Sequence, residues 1–448
     1  MPQKKNVREI ALDILTAVQK NKAYSNLSLN HAIKESELSS KDVGLLTELV
    51  YGTIQREMTL DYYITPFIKN PKKMQPWVLS LLKMTVFQMQ YLDRVPDRAA
   101  IHEAVEIAKK RGHRGVASLV NGVLRSIQRE GVPDISAIKD PLERISISTS
   151  HPLWLVKQWA QQFGLEKTEQ MCEENLHAPV QTARVNSLKT TREEVLKILA
   201  EEGFTAEPSL LNEDGIRSLR GNLALSDAYK NGLISIQDES SMLVAHAVSP
   251  NGEEMVLDSC AAPGGKTTHM GERMENEGKI IALDLHAHKT KLIDEQAMRL
   301  GLSNIETRQM DARKIAEFFE PQTFDKILVD APCSGLGVLK RKPDAKYTKT
   351  EADLHSLSAI QLTILRKVSG LVKAGGTITY STCTVGREEN EAIIDAFLEE
   401  NKEFERDLTL ASRLPEAVKP YVNENTVQIL PQYFGSDGFF IASIRRKA

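Results

Sequence analysis

Leu257-Asp-Ser-Cys-Ala-Ala-Pro-Gly-Gly-Lys-Thr-Thr268 decides how the rest of this chain is read. The apolar run Met255-Val256-Leu257 before it suits a buried strand, and Thr267 to Met274 after it suits a helix. A strand closed by an aspartate, a Gly264-Gly265 turn and a helix start describe the first βα unit of a doubly wound sheet. There, backbone N–H groups at the helix start face a ligand. Paired glycines let the backbone come close to it, because no Cβ intervenes. Two familiar glycine loops are excluded. A Walker loop needs a glycine five positions before Gly265, where Cys260 stands, and the dinucleotide fingerprint needs separated glycines and a third beyond them. Taken alone, the loop also suits a tight turn that holds nothing.

Outward from the loop, residues 241–448 alternate strands and helices at the spacing of a parallel sheet. Strands are expected at Met255–Leu257, Lys279–Leu283, Ile305–Met310, Phe324–Val329 and Thr377–Tyr380, with a closing antiparallel hairpin from Val427–Leu430 and Phe439–Ile444. An acid closes each of the first four: Asp258, Asp284, Asp311 and Asp330. Carboxylates at successive strand ends line the crevice in which such sheets bind ligands. Asp284, 26 residues beyond Asp258, suits a ribose diol, and the series points to an adenosine-containing cofactor.

Two cysteine turns follow the fourth and fifth strands, Asp330-Ala-Pro-Cys-Ser-Gly335 and Ser381-Thr-Cys-Thr384. An open parallel sheet brings both to the rim beside the loop. A single free cysteine is usually a small buried hydrophobe; two at the catalytic edge invite chemistry. Carbon 5 of cytosine is too weak a nucleophile to attack a methyl sulfonium. A thiolate added at carbon 6 makes the ring an enamine, and carbon 5 can then accept a methyl group. An acid near ring nitrogen 3, here Asp330, would stabilise the adduct. A base must afterwards take the carbon 5 proton so that the thiol can leave.

The chain of 448 residues has room for two or three domains with real cores. No apolar run spans a bilayer and no signal core follows the N-terminus, so a cytoplasmic protein is expected. Four cysteines make no disulfide framework, and without CxxC pairs or Cys/His clusters no metal is expected. The net charge of −3 hides an asymmetry: residues 1–130 carry +7 and the remainder −10. A basic front module suggests an anionic partner. Residues 1–130 read as all helix, with basic residues at Lys4, Lys5, Arg8, Lys109, Lys110 and Arg111. Pro66, Pro71, Pro76 and Pro96 punctuate the helices. Residues 131–150 are expected to be a linker. Residues 151–240 are expected to form a helical connector and a small α+β module with strands at Thr182–Asn186, Leu223–Leu225 and Leu233–Ile236; such modules often present a sheet to single-stranded RNA. Arg184 and Asn186 are placed on RNA, as are Arg341, Lys342 and Lys346 in a basic run with Lys340 and Lys349. His269, His286 and His288 are left as surface or packing residues.

At Asp258–Lys266, Asp330–Gly337 and Ser381–Thr384 the sequence resembles the RNA cytosine-C5 methyltransferases of the NOL1/NOP2/Sun family. Arg341-Lys-Pro-Asp344 and Asp437-Gly-Phe-Phe-Ile-Ala442 are also similar to family segments. Asn26–Asn30 and Leu46–Gly52 resemble a NusB-type RNA-binding domain, and the pairing of the two is similar to bacterial methyltransferases of small-subunit rRNA. The resemblance implies an all-α NusB-like domain, a small α+β RNA-binding module and a Rossmann-like α/β methyltransferase domain. It implies S-adenosylmethionine held by Cys260, Ala261, Ala262, Pro263, Gly264, Gly265, Lys266, Asp284, Asp311 and Asp330. It makes Cys383 the nucleophile and Cys333 the residue that helps release product, with small-subunit rRNA as partner and a monomer expected. One departure is Tyr347, where the family pattern has Trp. The alternatives are a DNA cytosine methyltransferase, which would make Cys333 the nucleophile but whose Glu-Asn-Val and Gln-x-Arg-x-Arg signatures are absent; an adenine-N6 enzyme, which would want Pro-Pro-Tyr/Phe after the fourth strand; and a non-catalytic NusB-like RNA-binding or antitermination factor.

Overall fold

The computed structural model describes residues 5–21, 25–36 and 38–448, so Lys4 of the basic patch lies outside the described residues. It divides into two units, Met1–His177 with Leu339–Thr348, and Ala178–Val338 with Lys349–Ala448.

The first unit is helical. Helices Val7–Asn21, Ser25–Glu35, Ser40–Gln55, Glu57–Ile64, Pro76–Tyr91, Asp97–Arg111 and Arg114–Glu130 pack around one core. Pro76–Tyr91 is its centre, buried from Leu81 through Gln88, with the buried Lys83 ammonium paired to Glu57 and Asp61. The prolines act as expected: Pro76 opens its helix at the first position, where no N–H is missed, and Pro96 caps the next. Residues 131–150 are more ordered than a linker. Asp140 accepts the Leu142 and Glu143 N–H groups, Pro141 starts a helix to Thr149, and Ile145, Ser146 and Thr149 are buried. Helices Leu153–Phe163 and Leu165–Glu174 complete the unit, with Trp159 fully buried as a core residue.

In the second unit a small antiparallel sheet runs in the order β2-β3-β1-β4: β1 (Thr182–Val185), β2 (Thr205–Pro208), β3 (Gly215–Arg220) and β4 (Ile234–Ile236). The Arg192–Glu201 helix opens on a capping box between Thr191 and Glu194. Leu223–Leu225, expected as a strand, is a single 3₁₀ turn, because the Asn222 side chain accepts the Ala224 N–H and curls the chain. Strands β2 and β3 escaped the sequence reading, since Thr-Ala-Glu-Pro and Gly-Ile-Arg-Ser-Leu-Arg carry little apolar alternation.

The large sheet joins β5 (Met255–Asp258), β6 (Lys279–Asp284), β7 (Ile305–Gln309), β8 (Phe324–Asp330) and β9 (Val372–Thr382) in parallel, in the order β7-β6-β5-β8-β9. Beyond β9 the antiparallel strand β13 (Phe439–Arg446) pairs with β9, with β12 (Thr426–Ile429) and, at its far end, with β10 (Phe404–Arg406); β11 (Val422–Asn423) closes the edge. Strand order reverses between β5 and β8. That switch point opens a crevice at the strand C-termini, which is where Asp258 and Asp330 end their strands. Buried apolar clusters cover both faces, one around Ile327, Tyr380 and Phe397, the other around Met270, Leu328 and Ile441.

Candidate active site

The loop after β5 is threaded between its neighbours. The Ser259 N–H bonds Leu328 O of β8 at 3.0 Å, and the Ala261 N–H bonds Leu283 O of β6 at 2.7 Å. Gly264 has φ +103°, which L side chains resist, and a Cβ there would come within 3.2 Å of Ile293 Cα in the facing helix. Asp258 does not face outward. It is fully buried, accepts the Thr267 hydroxyl at 2.7 Å, and burial pushes its carboxyl up to about 7. Its role is to tie the strand end to the start of the Gly265–Arg273 helix.

A cavity of about 460 Å³ opens over this loop, and the strand-end residues meet in it. Cys260, Ala262, Asp284, Asp311, Asp330, Cys333 and Cys383 all line it. Met310, Ile360 and Ile364 supply an apolar wall. Ala261 is buried behind the loop, and Lys266 enters from the helix start. Asp330 is held from both sides: Lys266 Nζ donates to Oδ2 at 2.7 Å and the Ser381 hydroxyl to Oδ1 at 2.8 Å. Burial opposes the Lys266 ammonium, but the Asp330 carboxylate, with the Cys383 sulfur nearby, holds it above the ordinary lysine value. The Phe439 ring lies 5.1 Å beneath that ammonium.

The two cysteines, 50 positions apart in sequence, bring their sulfurs to 3.3 Å. Contact with the Cys383 sulfur, together with burial, keeps the Cys333 thiol well above the ordinary thiol range. The turns are also joined through backbone: Gly337 N–H donates to Cys383 O at 3.0 Å and Gly438 N–H to Gly337 O at 2.8 Å. A Cβ on Gly337 would meet Gly438 O at 2.0 Å, so only glycine fits. Glu389, Asn390 and Gln361 support the turns and went unnoticed in the sequence. The only signal for Glu389 and Asn390 is a polar run, Arg387-Glu-Glu-Asn-Glu391, immediately behind the second thiol, and Gln361, inside the Glu351–Ser369 helix, gives none.

Comparison with known proteins gives this geometry a lineage. Residues 245–445 match the family described as 16S rRNA methyltransferase RsmB/F, residues 5–129 the NusB family, and residues 151–222 the RsmF/B-like ferredoxin-like domain. The probable ribosomal RNA small subunit methyltransferase B of Bacillus subtilis (strain 168) is 56% identical over 445 residues, covering 99% of this chain and 100% of that one. The chain belongs to this methyltransferase family. The ribosomal RNA small subunit methyltransferase B of Pseudomonas syringae pv. tomato (strain ATCC BAA-871 / DC3000) is 33% identical, covering 98% of this chain and 96% of its own length. Among solved structures, PH0851 aligns with a TM-score of 0.82 at 27% identity, covering 99% of this chain and 100% of that one. A methyltransferase homolog from Pyrococcus horikoshii aligns at 0.58 with 28% identity, covering 69% and 100%.

For this rRNA methyltransferase, three of the five residues expected to touch RNA must be reassigned. Arg184 is fully buried and donates to both Glu272 oxygens at 2.8 and 2.7 Å, to Gly265 O at 2.9 Å and to Gln237. A guanidinium so enclosed binds the glycine turn and its helix, not a nucleic acid. Asn186 is also buried and donates to Gly232 O and Leu300 O, both at 3.0 Å. Strand β1 is buried at all four positions, so it presents no open face. Lys346 is buried in the helical unit, where its ammonium reaches Gln55 O at 2.8 Å and Oε1 at 3.3 Å. Lys340 is buried against Glu174. Lys342 is exposed and Arg341 half-buried. Much of the N-terminal basic patch is internally paired, Lys5 with Asp13, Lys109 with Glu106 and Lys110 with Glu9.

His269 is a buried packing residue with a polar task. It and His246 both meet Asp214 Oδ2, at 3.2 and 2.9 Å, and Arg273 stands 3.6 Å from the same oxygen. The three groups have metal-ligand spacing. With two imidazoles and a guanidinium around one carboxylate, the cluster ties the turn before β3 to the Glu239–Val248 and Gly265–Arg273 helices.

Proposed function

We propose that this methyltransferase modifies carbon 5 of a cytosine in small-subunit rRNA, with S-adenosylmethionine as methyl donor and Cys383 as nucleophile. The carrying observation is the pair of sulfurs 3.3 Å apart in one crevice with Asp330. Two adjacent thiols suit a reaction that needs one sulfur to add to a ring and a second group to clear it. The donor set fits the cofactor: Asp284 at the end of β6 for a ribose diol, Asp311 at the end of β7 and the Met310–Ile364 wall for a purine, and Cys260 to Lys266 for the amino-acid tail. When bound there, S-adenosylmethionine supplies an electrophilic methyl group.

The chain's own residues divide the remaining work. Lys266, held charged beside Cys383, offsets negative charge on that sulfur as it enters and leaves the ring. The Cys383 sulfur adds to carbon 6 of the cytosine, and the Asp330–Lys266 pair stabilises charge or delivers a proton at nitrogen 3. After carbon 5 has been methylated, Cys333, as the thiolate left once its own proton has passed to solvent, takes the proton from that carbon. The electrons of the broken C–H bond restore the ring double bond and expel the Cys383 thiolate. A thiol whose value is raised makes a strong base once ionised, which suits Cys333 to this step. The target base must be single-stranded or turned out of a helix to reach the sulfurs. Exposed Lys342 is suited to phosphate.

The test is a methyl-transfer assay on small-subunit rRNA with labelled S-adenosylmethionine. Cys383→Ala should fall to background, and Cys333→Ala should accumulate a covalent protein–RNA complex on a denaturing gel. Transfer by Cys383→Ala, with a dead and adduct-free Cys333→Ala, would reverse the two roles.

A further inference from the structure

The residues that follow the second thiol turn hold a device that the reaction scheme does not use. Glu389 and Asn390 are adjacent in sequence, and both are fully buried. Each holds a different cysteine turn. Glu389 Oε1 accepts the Ser334 N–H at 2.8 Å and its Oε2 accepts the Ser334 hydroxyl at 2.5 Å, next to Cys333. Gln361 Nε2 donates to Glu389 Oε1 at 3.0 Å and to Pro332 O at 2.9 Å, so the Cys333 turn is held on either side of the sulfur. Asn390 Oδ1 accepts the Thr382 hydroxyl at 2.6 Å, and its Nδ2 donates to Thr384 O at 3.2 Å. Thr382 and Thr384 are the two neighbours of Cys383. The Tyr380 hydroxyl fixes the dipeptide itself by donating to Glu389 O at 2.6 Å, and the hydroxyls of Ser334 and Thr384 meet at 3.0 Å between the turns.

We infer that Glu389-Asn390 is a positioning pair that sets the spacing of the two thiols, Glu389 through the Cys333 turn and Asn390 through the Cys383 turn. Because consecutive residues share a rigid peptide unit, the two turns cannot drift independently while both side chains are seated. The assignment of steps to each residue rests on the proposed roles of the cysteines; the spacing itself does not. Loss of Glu389 acts on release, through Cys333, and loss of Asn390 acts on adduct formation, through Cys383. A displacement of about 1 Å at a reacting group is worth about 100-fold in rate.

The experiment has two arms on the full chain. In single-turnover methyl transfer on small-subunit rRNA, Glu389→Ala should form the covalent complex and then release it about 100-fold more slowly, so that it accumulates. Asn390→Ala should form the complex at a similarly reduced rate without accumulation. Glu389→Gln, which keeps an acceptor for the Ser334 N–H, should recover most of the release rate. In the second arm, diamide oxidises the Cys333–Cys383 pair to a disulfide, and the rate reads sulfur spacing without any RNA; both alanine variants should slow it. Unchanged disulfide formation, or a uniform loss of every step in proportion to a lowered unfolding temperature, would reduce the pair to ordinary core residues. Should Glu389→Ala not fold, Ser334→Ala and Gln361→Ala remove parts of the same clamp and should show the same shift toward slow release. If Cys333→Ala itself accumulates no complex, the cysteine assignment fails, and the disulfide rate still judges the spacing claim.

Discussion

Arg184 and Lys346 are both cations inside the protein, and they are buried on different terms. Arg184 sits against a full carboxylate, with both Glu272 oxygens in a two-point contact and backbone and amide oxygens on the rest of its fork. Lys346 sets its ammonium against the neutral oxygens of Gln55, and burial drives its value down to about 7. A guanidinium stays charged and presents a planar set of donors, so it repays burial wherever acceptors are arranged around it. An ammonium gives up its proton when the surroundings are neutral. Arg184 is therefore a charged staple between β1 and the helix behind the glycine loop, and Lys346 is a hydrogen-bonding plug in a helical core.

The largest expected effect breaks the staple. Arg184→Ala leaves Glu272 buried without its cation, and denaturant unfolding should show a loss of about 3–5 kcal/mol. Replacing both residues at once, as Arg184→Met with Glu272→Leu, should recover most of that loss. If the single variant costs no more than the double one, the pair contributes no such coupling.

Lys346 should behave in the opposite sense. Its folded-state value near 7 lies below the ordinary 10.5, so between them the unfolded chain holds the extra proton. Stability should therefore climb as pH rises through that window, by at most about 1.4 kcal/mol per unit. Lys346→Met should remove the slope and raise stability near neutrality, which unfolding curves at two pH values would show. A slope that survives the substitution belongs to another group.

The smallest effect concerns Lys342, the exposed cation of the same run. Lys342→Ala should leave unfolding unchanged, weaken rRNA binding modestly, and lower the magnitude of its salt dependence by about one unit. Equal loss of rRNA affinity in Lys342→Ala and Lys346→Met would erase the distinction between the surface and the interior of this run.

The comparison shows why the sequence was easy to read at the crevice and hard to read at the RNA contacts. Asp284, Asp311, Asp330, Cys333 and Cys383 each stand at the end of a parallel strand or within three residues beyond it, and a parallel sheet delivers every such position to one rim. Local order was enough to gather them. Arg184 and Lys346 look identical to exposed basic residues in a linear string, and what distinguishes them is a partner 88 or 291 positions away. Glu389 and Asn390 were missed for the same reason, since a polar run behind a turn gives no sign that its side chains fold back into the interior. The linker expected at 131–150 failed more locally: Asp140 and Pro141 were a readable helix start that went unused.

By itself the sequence determined the strand and helix alternation, the cofactor-loop turn, the residue types offered at the crevice and membership of a methyltransferase family. These follow from periodicity, chain geometry and motifs that act within a few residues. Only the tertiary structure decided which charges face water, how near the two sulfurs come, and which side chains hold them there. Burial and pairing are properties of distant segments brought together, and no local pattern encodes them.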